Sequence, residues 1–303
     1  MIERVLEEDK KEIRDIWDDI FGFDDGGYNN YYFDNVYDKG KHYCIRKDNK
    51  IANTLSVFYS PYMLNNRMIE VSMIVGVATL KEYRHQGLMT EMMKEVLDFL
   101  SYQNLVTMIQ AYNPSLYIPY GFDIIYHRKS YFITKDNYQI TETRGISDTV
   151  NTEDMLKAYA LFVKHFNGYK VRSISDFELM IKKCEALGQK IMMVYDKGRI
   201  KGYFIYELKE DKMIIDEAVY HDIKTLTKII SWALKHSDEL ELILSDNEDI
   251  EKVYGPLKSE IHDYTMVRIN DYELFNKLYG TDVTNTKDGF ELINKPLYMH
   301  EEV

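Results

Sequence analysis

A short polar segment, Tyr83-Arg84-His85-Gln86-Gly87, separates two apolar stretches of different periodicity. The β-branched run from Val71 to Thr79 precedes it, and Met89, Met92, Met93, Val96, Leu97 and Leu100 follow it at helical spacing. The pattern predicts a strand, a turn and a helix. The first N–H groups of a helix have no intrahelical partner and stand at the positive end of its dipole, so such a turn can hold a phosphate or pyrophosphate. Arg84 adds a full positive charge, and Gly87 lets the backbone approach closely. The candidate anion ligands are Arg84, His85, Gln86 and Gly87, with the first helical residues Leu88, Met89 and Thr90. Strand, turn and helix with one Arg and one Gly are common in α/β proteins, so this pattern alone is only moderately specific.

A second stretch with chemical potential runs from Phe21 to Asp38, where acids, aromatics and paired glycines cluster. It reads as a loop or short helix. Its aromatics can simply pack onto the sheet. Alternatively Asp24, Asp25 and Asp34 pair with an amine while Tyr31 and Phe33 offer it aromatic faces, making a substrate wall.

Val77-Ala78-Thr79 followed by Tyr83 to Leu88 resembles the acetyl-CoA signature of the GCN5-related N-acetyltransferases (GNAT), in which a strand ending in V-x-T precedes an R-x-x-G-x-G/A pyrophosphate loop. The last small position is Met89 here, a departure that the Eis-like (enhanced intracellular survival) branch tolerates better than the wider superfamily. Tyr117 to Phe122, after one more helix and strand, resembles the superfamily's Y-x-x-x-G-F element. The resemblance implies that Tyr117 lies beside the thioester sulfur as general acid, and that main-chain groups near Val75 and Val77 pair with the pantetheine arm on a splayed, bulged strand. Gly76 fits such a bulge. It also implies that the segment after the first helix lines the acceptor pocket. In the family a C-terminal carboxylate acts as base, a role that would fall to Val303; carboxylates between Asp18 and Asp38 are the other options.

At 303 residues and 45% hydrophobic content the chain can bury a large core, and its length suggests two domains. No window approaches the roughly 18 apolar residues of a bilayer span, and the charged N-terminus does not read as a signal peptide, so a cytoplasmic protein is expected. Cys44 and Cys184 are far apart and read as reduced and structural, and no Cys/His cluster suggests a metal. A net charge of −12 argues against nucleic acid or an anionic membrane as partner, since both need a basic footprint. It allows a cationic small-molecule amine, and charge alone reads equally as what keeps a cytosolic protein soluble. The sequence is compatible with a homo-oligomer without specifying one.

The fold class expected is α/β (α+β): two tandem GNAT-like domains, each a mixed, mostly antiparallel twisted sheet flanked by helices, plus a short C-terminal extension. Residues 1–140 form the expected catalytic domain, and the polar stretch from Asp136 to Val150 the boundary. Residues 148–262 repeat part of the first domain's order, but Asp222 stands where a phosphate would sit, so this copy is expected to be silent. Residues 263–303 read as the remnant of the family's sterol-carrier-like domain, because a strand pattern at Tyr264 to Ile269 begins it and too little chain follows. The expected activity is acetyl-CoA-dependent N-acetylation of a cationic amine, such as an aminoglycoside or polyamine. A non-catalytic acyl-CoA-binding regulator and a peptide or protein lysine acetyltransferase are the alternatives.

Overall fold

In the computed structural model, which describes residues 1–22, 26–292 and 295–301, the chain opens with β1 (Ile2–Arg4), α1 (Lys10–Phe21) and α2 (Tyr28–Asn35). Strands β2 (Lys41–Lys47), β3 (Lys50–Leu64) and β4 (Arg67–Thr79), helix α3 (Leu88–Ser101) and strand β5 (Val106–Ile109) follow. Tight turns set the hairpins. Asp48 and Asn49 at φ 52 and 62, and Asn65 and Asn66 at φ 47 and 63, take the left-handed conformation that two-residue hairpins demand and that Asn and Asp tolerate. The order β1-β2-β3-β4-β5 is antiparallel except for the pair β4 and β5, which runs parallel because α3 crosses between them.

Strand β6 (Asp123–Thr134) leads into a second unit, made of Tyr126–Asp263 and Lys295–Met299. It contains β7 (Ile146–Ser147), α4 (Thr152–Phe162), β8 (Gly168–Lys170), α5 (Ile174–Ala186), β9 (Lys190–Asp196), β10 (Arg199–Lys209), β11 (Lys212–Tyr220), α6 (Ile223–His236), β12 (Glu239–Ser245) and α7 (Glu251–Tyr254). Its sheet order is β6-β12-β11-β10-β9-β7, with one parallel pair, β11 and β12, again bridged by a helix. The chain ends with β13 (Lys258–Ile269), α8 (Tyr272–Tyr279), α9 (Thr286–Glu291) and β14 (Leu297–Tyr298). Both units are mixed sheets flanked by helices, as the sequence pattern predicts.

The first unit's sheet is buried on both faces. Helix α3 lays Leu88, Met92, Met93, Val96, Leu97 and Leu100 against Leu55, Val57, Ile74 and Ile109. At roughly 1.5–3 kcal/mol per buried side chain, that stripe outweighs any helix-propensity difference and fixes where α3 starts. On the other face, Ile13, Ile16, Trp17, Tyr32 and Phe33 of α1 and α2 pack on Ile51 and Phe58.

Two boundaries differ from those read in the sequence. Compact contacts divide the chain at Ile125, inside β6, so the polar stretch 136–150 lies within the second unit. The segment from Tyr264 onward is not a separate body: all but Lys295–Met299 is grouped with the first unit, and Lys295–Met299 with the second. Its alternating apolar residues need a sheet edge, and β5 offers one: Met266 pairs with Ile109 and Ile269 with Val106, antiparallel. Phe275 and Phe290 are buried side by side, their rings 6.4 Å apart, and Gly289 is small enough to sit against Ile269 and Phe275. Gln110 Nε2 donates to the carbonyl of Glu301 at 2.7 Å, tying the tail to the end of β5.

Candidate active site

The parallel pairing of β4 with β5 stops at Ile74 and Ile109, although β4 continues to Thr79. From Val75 onward the β5-facing edge of β4 carries no ladder partner from β5. On its other side, Leu55 of β3 stands opposite both Gly76 and Val77, a β-bulge that turns the strand away from its neighbour. Gly76 takes φ +62, and a Cβ there would lie 2.0 Å from Trp17 Cζ2. Trp17 sits hard on the bulge, held by stacking on Tyr32 at 4.2 Å. Gly76→Ala is therefore expected to cost about 2–4 kcal/mol, from backbone strain plus overpacking, read as a lowered urea midpoint. An unchanged midpoint would show that the bulge is not needed.

Beyond the splay, the turn before α3 is solvent-exposed from Arg84 to Gly87. His85 at φ 60 and Gly87 at φ 80 are left-handed, so the intervening backbone curves into a concavity of the kind that gathers N–H groups on one side. No side chain caps α3, and its first backbone bond runs from Glu91 to the carbonyl of Gly87, leaving Leu88, Met89 and Thr90 without intrahelical acceptors. A Cβ on Gly87 would meet nothing within 4 Å, which keeps the turn open. Arg84 is aimed back at the splay, its Nε donating to the carbonyl of Thr79 at 3.1 Å. Gln86 Nε2 donates to the carbonyl of Glu82 at 3.2 Å, bracing the loop.

Tyr117 lies between two single 3-10 turns, Pro114–Leu116 and Ile118–Tyr120, started by the Asn113 side chain and by prolines at 114 and 119. Its ring packs edge-on to Phe122 at 6.3 Å, within the cluster that buries α3. Burial, with the neighbouring Tyr120, pushes its phenol up to about 12, so it is protonated at neutral pH. Tyr120 OH donates to Thr90 Oγ1 at 3.1 Å, linking this turn to the first turn of α3.

On the α1 and α2 side the structure sorts the sequence candidates. Tyr31 and Phe33 are 6% and 2% exposed, part of the aromatic core around Trp17. They are core residues first, because α2 is short and must bury its aromatics to hold. Asp34 points outward and pairs with Arg14 at 3.8 Å. Asp24, Asp25 and Val303 lie outside the described residues.

This face holds one pairing that no sequence signal announced. His42 of β2 stands opposite Ser56 of β3, and Ser56 opposite Val75, so a single row crosses the sheet to the splay. His42 Nε2 lies 2.8 Å from the carbonyl of Tyr37, which only an N–H can satisfy, leaving Nδ1 to accept the Ser56 hydroxyl at 2.7 Å. Burial lowers the His42 pKa and keeps the ring neutral. Only the strand register brings these two residues together.

The second unit has the same scaffold and closes it. The parallel pairing of β11 ends at Ile215, and Asp216 is an extra residue opposite β10, a bulge in the corresponding place. There Arg128 Nη2 bonds both the carbonyl of Asp216, at 2.9 Å, and its carboxylate. Behind it, Arg172 and Glu217 form a buried ion pair shared with Tyr203 OH. Asp222 accepts from Thr225 N at 2.9 Å and so caps α6, placing a carboxylate where an anion would bind. Side chains of the unit itself occupy both halves of this site.

Among the described residues, no group of His, Cys, Asp or Glu could hold a metal ion, and no helix is long and apolar enough to cross a membrane.

Residues 1–125 match the family model described as an acetyltransferase (GNAT) domain. The chain thus carries an acetyltransferase domain and is an enzyme of the acyltransferase class. No curated protein matches it. Among solved structures it is similar to a conserved Enterococcus faecalis protein described as a probable N-acyltransferase, with TM-score 0.79 and 18% identity over 89% of this chain and 72% of that one. It is also similar to Eis1 from Mycobacterium abscessus, with TM-score 0.71 and 15% identity over 94% and 77%. Saccharomyces cerevisiae N-myristoyltransferase, solved with bound myristoyl-CoA, resembles it with TM-score 0.58 and 9% identity over 88% and 80%. At these identities the likeness is one of fold.

Proposed function

We propose that the first unit transfers an acetyl group from acetyl-CoA directly to a primary amine of a cationic small molecule of the aminoglycoside or polyamine kind. The observation that carries this reading is the conjunction of an uncapped α3 behind an open, positively charged turn with a splayed strand edge and a buried, protonated phenol. Pyrophosphate binds the amides of residues 87–90 and Arg84, and the pantetheine arm pairs with main-chain groups near Val75 and Val77. The Val75 N–H stabilises the developing oxyanion, and Tyr117 protonates the leaving thiolate. That the solved N-myristoyltransferase of related fold binds an acyl-CoA supports a CoA thioester as donor. The chain's net charge of −12 favours a cationic acceptor.

An alkyl amine with pKa of about 10 is mostly protonated at neutral pH and must lose its proton. We assign that step to the tail, whose Glu301 carbonyl is tied to Gln110 just beyond the splay. Deletion of residues 300–303 is expected to lower kcat by roughly 10- to 100-fold with acetyl-CoA affinity unchanged. Full kcat in that variant would shift the base to the carboxylates between Asp18 and Asp38 or to His42. Thiol release from acetyl-CoA with a panel of amines tests the whole reading. Turnover confined to polycationic amines is expected; turnover only with lysine peptides would replace the acceptor class, and no thiol release with any amine would remove the activity.

A further inference from the structure

The C-terminal stretch reaches into the catalytic turn as well as completing a sheet edge. Arg268 of β13 donates from Nε to the carbonyl of Tyr120 at 3.0 Å and from Nη1 to Asn270 Oδ1. Asn270 in turn donates from its amide to the carbonyl of Asn104 at 2.7 Å and to Thr107 Oγ1 at 2.8 Å. The guanidinium is thereby fastened between the start of β5 and the turn that carries Tyr117. It is half-buried, burial lowers its pKa, and its electrostatic neighbours among the described residues include no carboxylate. A desolvated cation with no carboxylate partner among the described residues is a costly way to fill space that an apolar side chain could fill. What it holds is the point.

The Tyr120 carbonyl ends a tight turn in which Tyr120 N donates to the Tyr117 carbonyl at 3.0 Å and Gly121 N to the Ile118 carbonyl at 3.0 Å. Gly121 has φ +84, and a Cβ there would lie 3.6 Å from Arg268 Nε. The far end of Tyr120 is fixed by its hydroxyl to Thr90 on α3. Thr286 of α9 adds a weaker bond to the Gly121 carbonyl at 3.4 Å while accepting from Ile269 N at 3.2 Å. Residues more than 140 positions downstream thus set the backbone of the Tyr117 turn from one side, and α3 sets it from the other.

We infer that Arg268 is a positioning residue for acetyl transfer: by holding the Tyr120 carbonyl it aims the Tyr117 phenol at the leaving sulfur beside α3. The inference rests on the reading of Tyr117 as the acid. The proton passes from the phenol oxygen to the thiolate as the carbon–sulfur bond breaks, so an ångström of drift in this turn affects that step and not cofactor binding. The test is a double-mutant cycle on the full chain. Arg268→Met is expected to lower kcat roughly 10- to 100-fold in the parent. In a Tyr117→Phe background it is expected to lower kcat by less than about twofold, because there is no acid left to aim. Acetyl-CoA Kd by calorimetry is expected to stay within about twofold throughout, and Arg268→Lys, which keeps one donor for the carbonyl, to recover part of the loss. Equal losses in both backgrounds, or no loss in the parent, overturn the inference while leaving the acid in place. Full turnover by Tyr117→Phe alone overturns the acid and the inference with it. Should Arg268→Met bind no acetyl-CoA, Arg268→Lys carries the same cycle.

Discussion

Tyr117→Phe is expected to slow acetyl transfer by roughly 10²–10⁴-fold, the usual worth of a general acid, and to leave acetyl-CoA affinity within about twofold of the parent. The ring is packed against Phe122 and the α3 cluster, so removing only the hydroxyl leaves its packing intact. The departing thiol has an ordinary pKa of about 8.5, and the phenol is pushed up to about 12 by burial. In that order, full proton transfer from the phenol to the thiolate is uphill. Both groups are neutral acids, however, and the same desolvation raises the thiol once it is bound beside the phenol, which narrows the gap. The alkaline limb of kcat therefore cannot come from Tyr117 below about pH 12. Stability sets the limit first. The raised folded-state pKa of this phenol stabilises the fold fully below the unfolded value of 10.0, and that contribution is lost as pH rises from there through about 12. A Tyr117→Phe enzyme that keeps full kcat in a thiol-release assay would sink the assignment.

Arg84→Glu is the second large effect. The exposed guanidinium carries the one full positive charge at the mouth of the turn from Tyr83 to Gly87, beside the free amides of α3. Losing a charge-assisted bond to a phosphate costs about 1.5–3 kcal/mol, and a carboxylate adds repulsion, so acetyl-CoA Kd should rise on the order of 100-fold. Arg84→Gln should fall between the two. Because the site is open to solvent, the parent's affinity should also weaken as salt is raised, and the salt dependence should shrink in Arg84→Gln. Calorimetry with acetyl-CoA at two salt concentrations reads both effects. Equal affinities for the parent and Arg84→Glu would show that the pyrophosphate lies elsewhere. The fold itself should be indifferent, since apart from one bond to the Thr79 carbonyl the side chain lies in solvent.

The two variants also separate the units. The second unit's helix α6 is capped by Asp222, and its splay is filled by Arg128. If acetyl-CoA binds only in the first unit, one mole binds per mole of chain in the parent and none in Arg84→Glu. Residual binding in Arg84→Glu with the parent's affinity would assign a site to the second unit.

Much of this was legible in the amino acids because it depends on local rules. The run from Val71 to Leu100 changes period from strand to helix in plain view, and the polar residues between can only be its turn. Asp48-Asn49 and Asn65-Asn66 announce their hairpins by backbone preference alone. Asp222 declares its cap by standing one residue before a helical stripe. Tyr31 and Phe33 were harder, since an aromatic beside an acid reads equally as pocket wall or core, and only packing against Trp17 and Tyr32 decides how much of each faces inward.

By itself, then, the sequence determined the strand, turn and helix around Arg84 and the acidic start of α6 at Asp222, because each follows from periodicity or a residue's capping preference; the mixed sheets and the bulge at Gly76 were implied by the family resemblance. Tertiary structure alone decided where the strand at residues 264–269 goes. A strand's need for an edge is written in its alternation, but which edge it takes depends on β5 being short, apolar and unpaired on one side, a fact distributed over the whole sheet. The same long-range pairing put Arg268 against Tyr120 and His42 against Ser56.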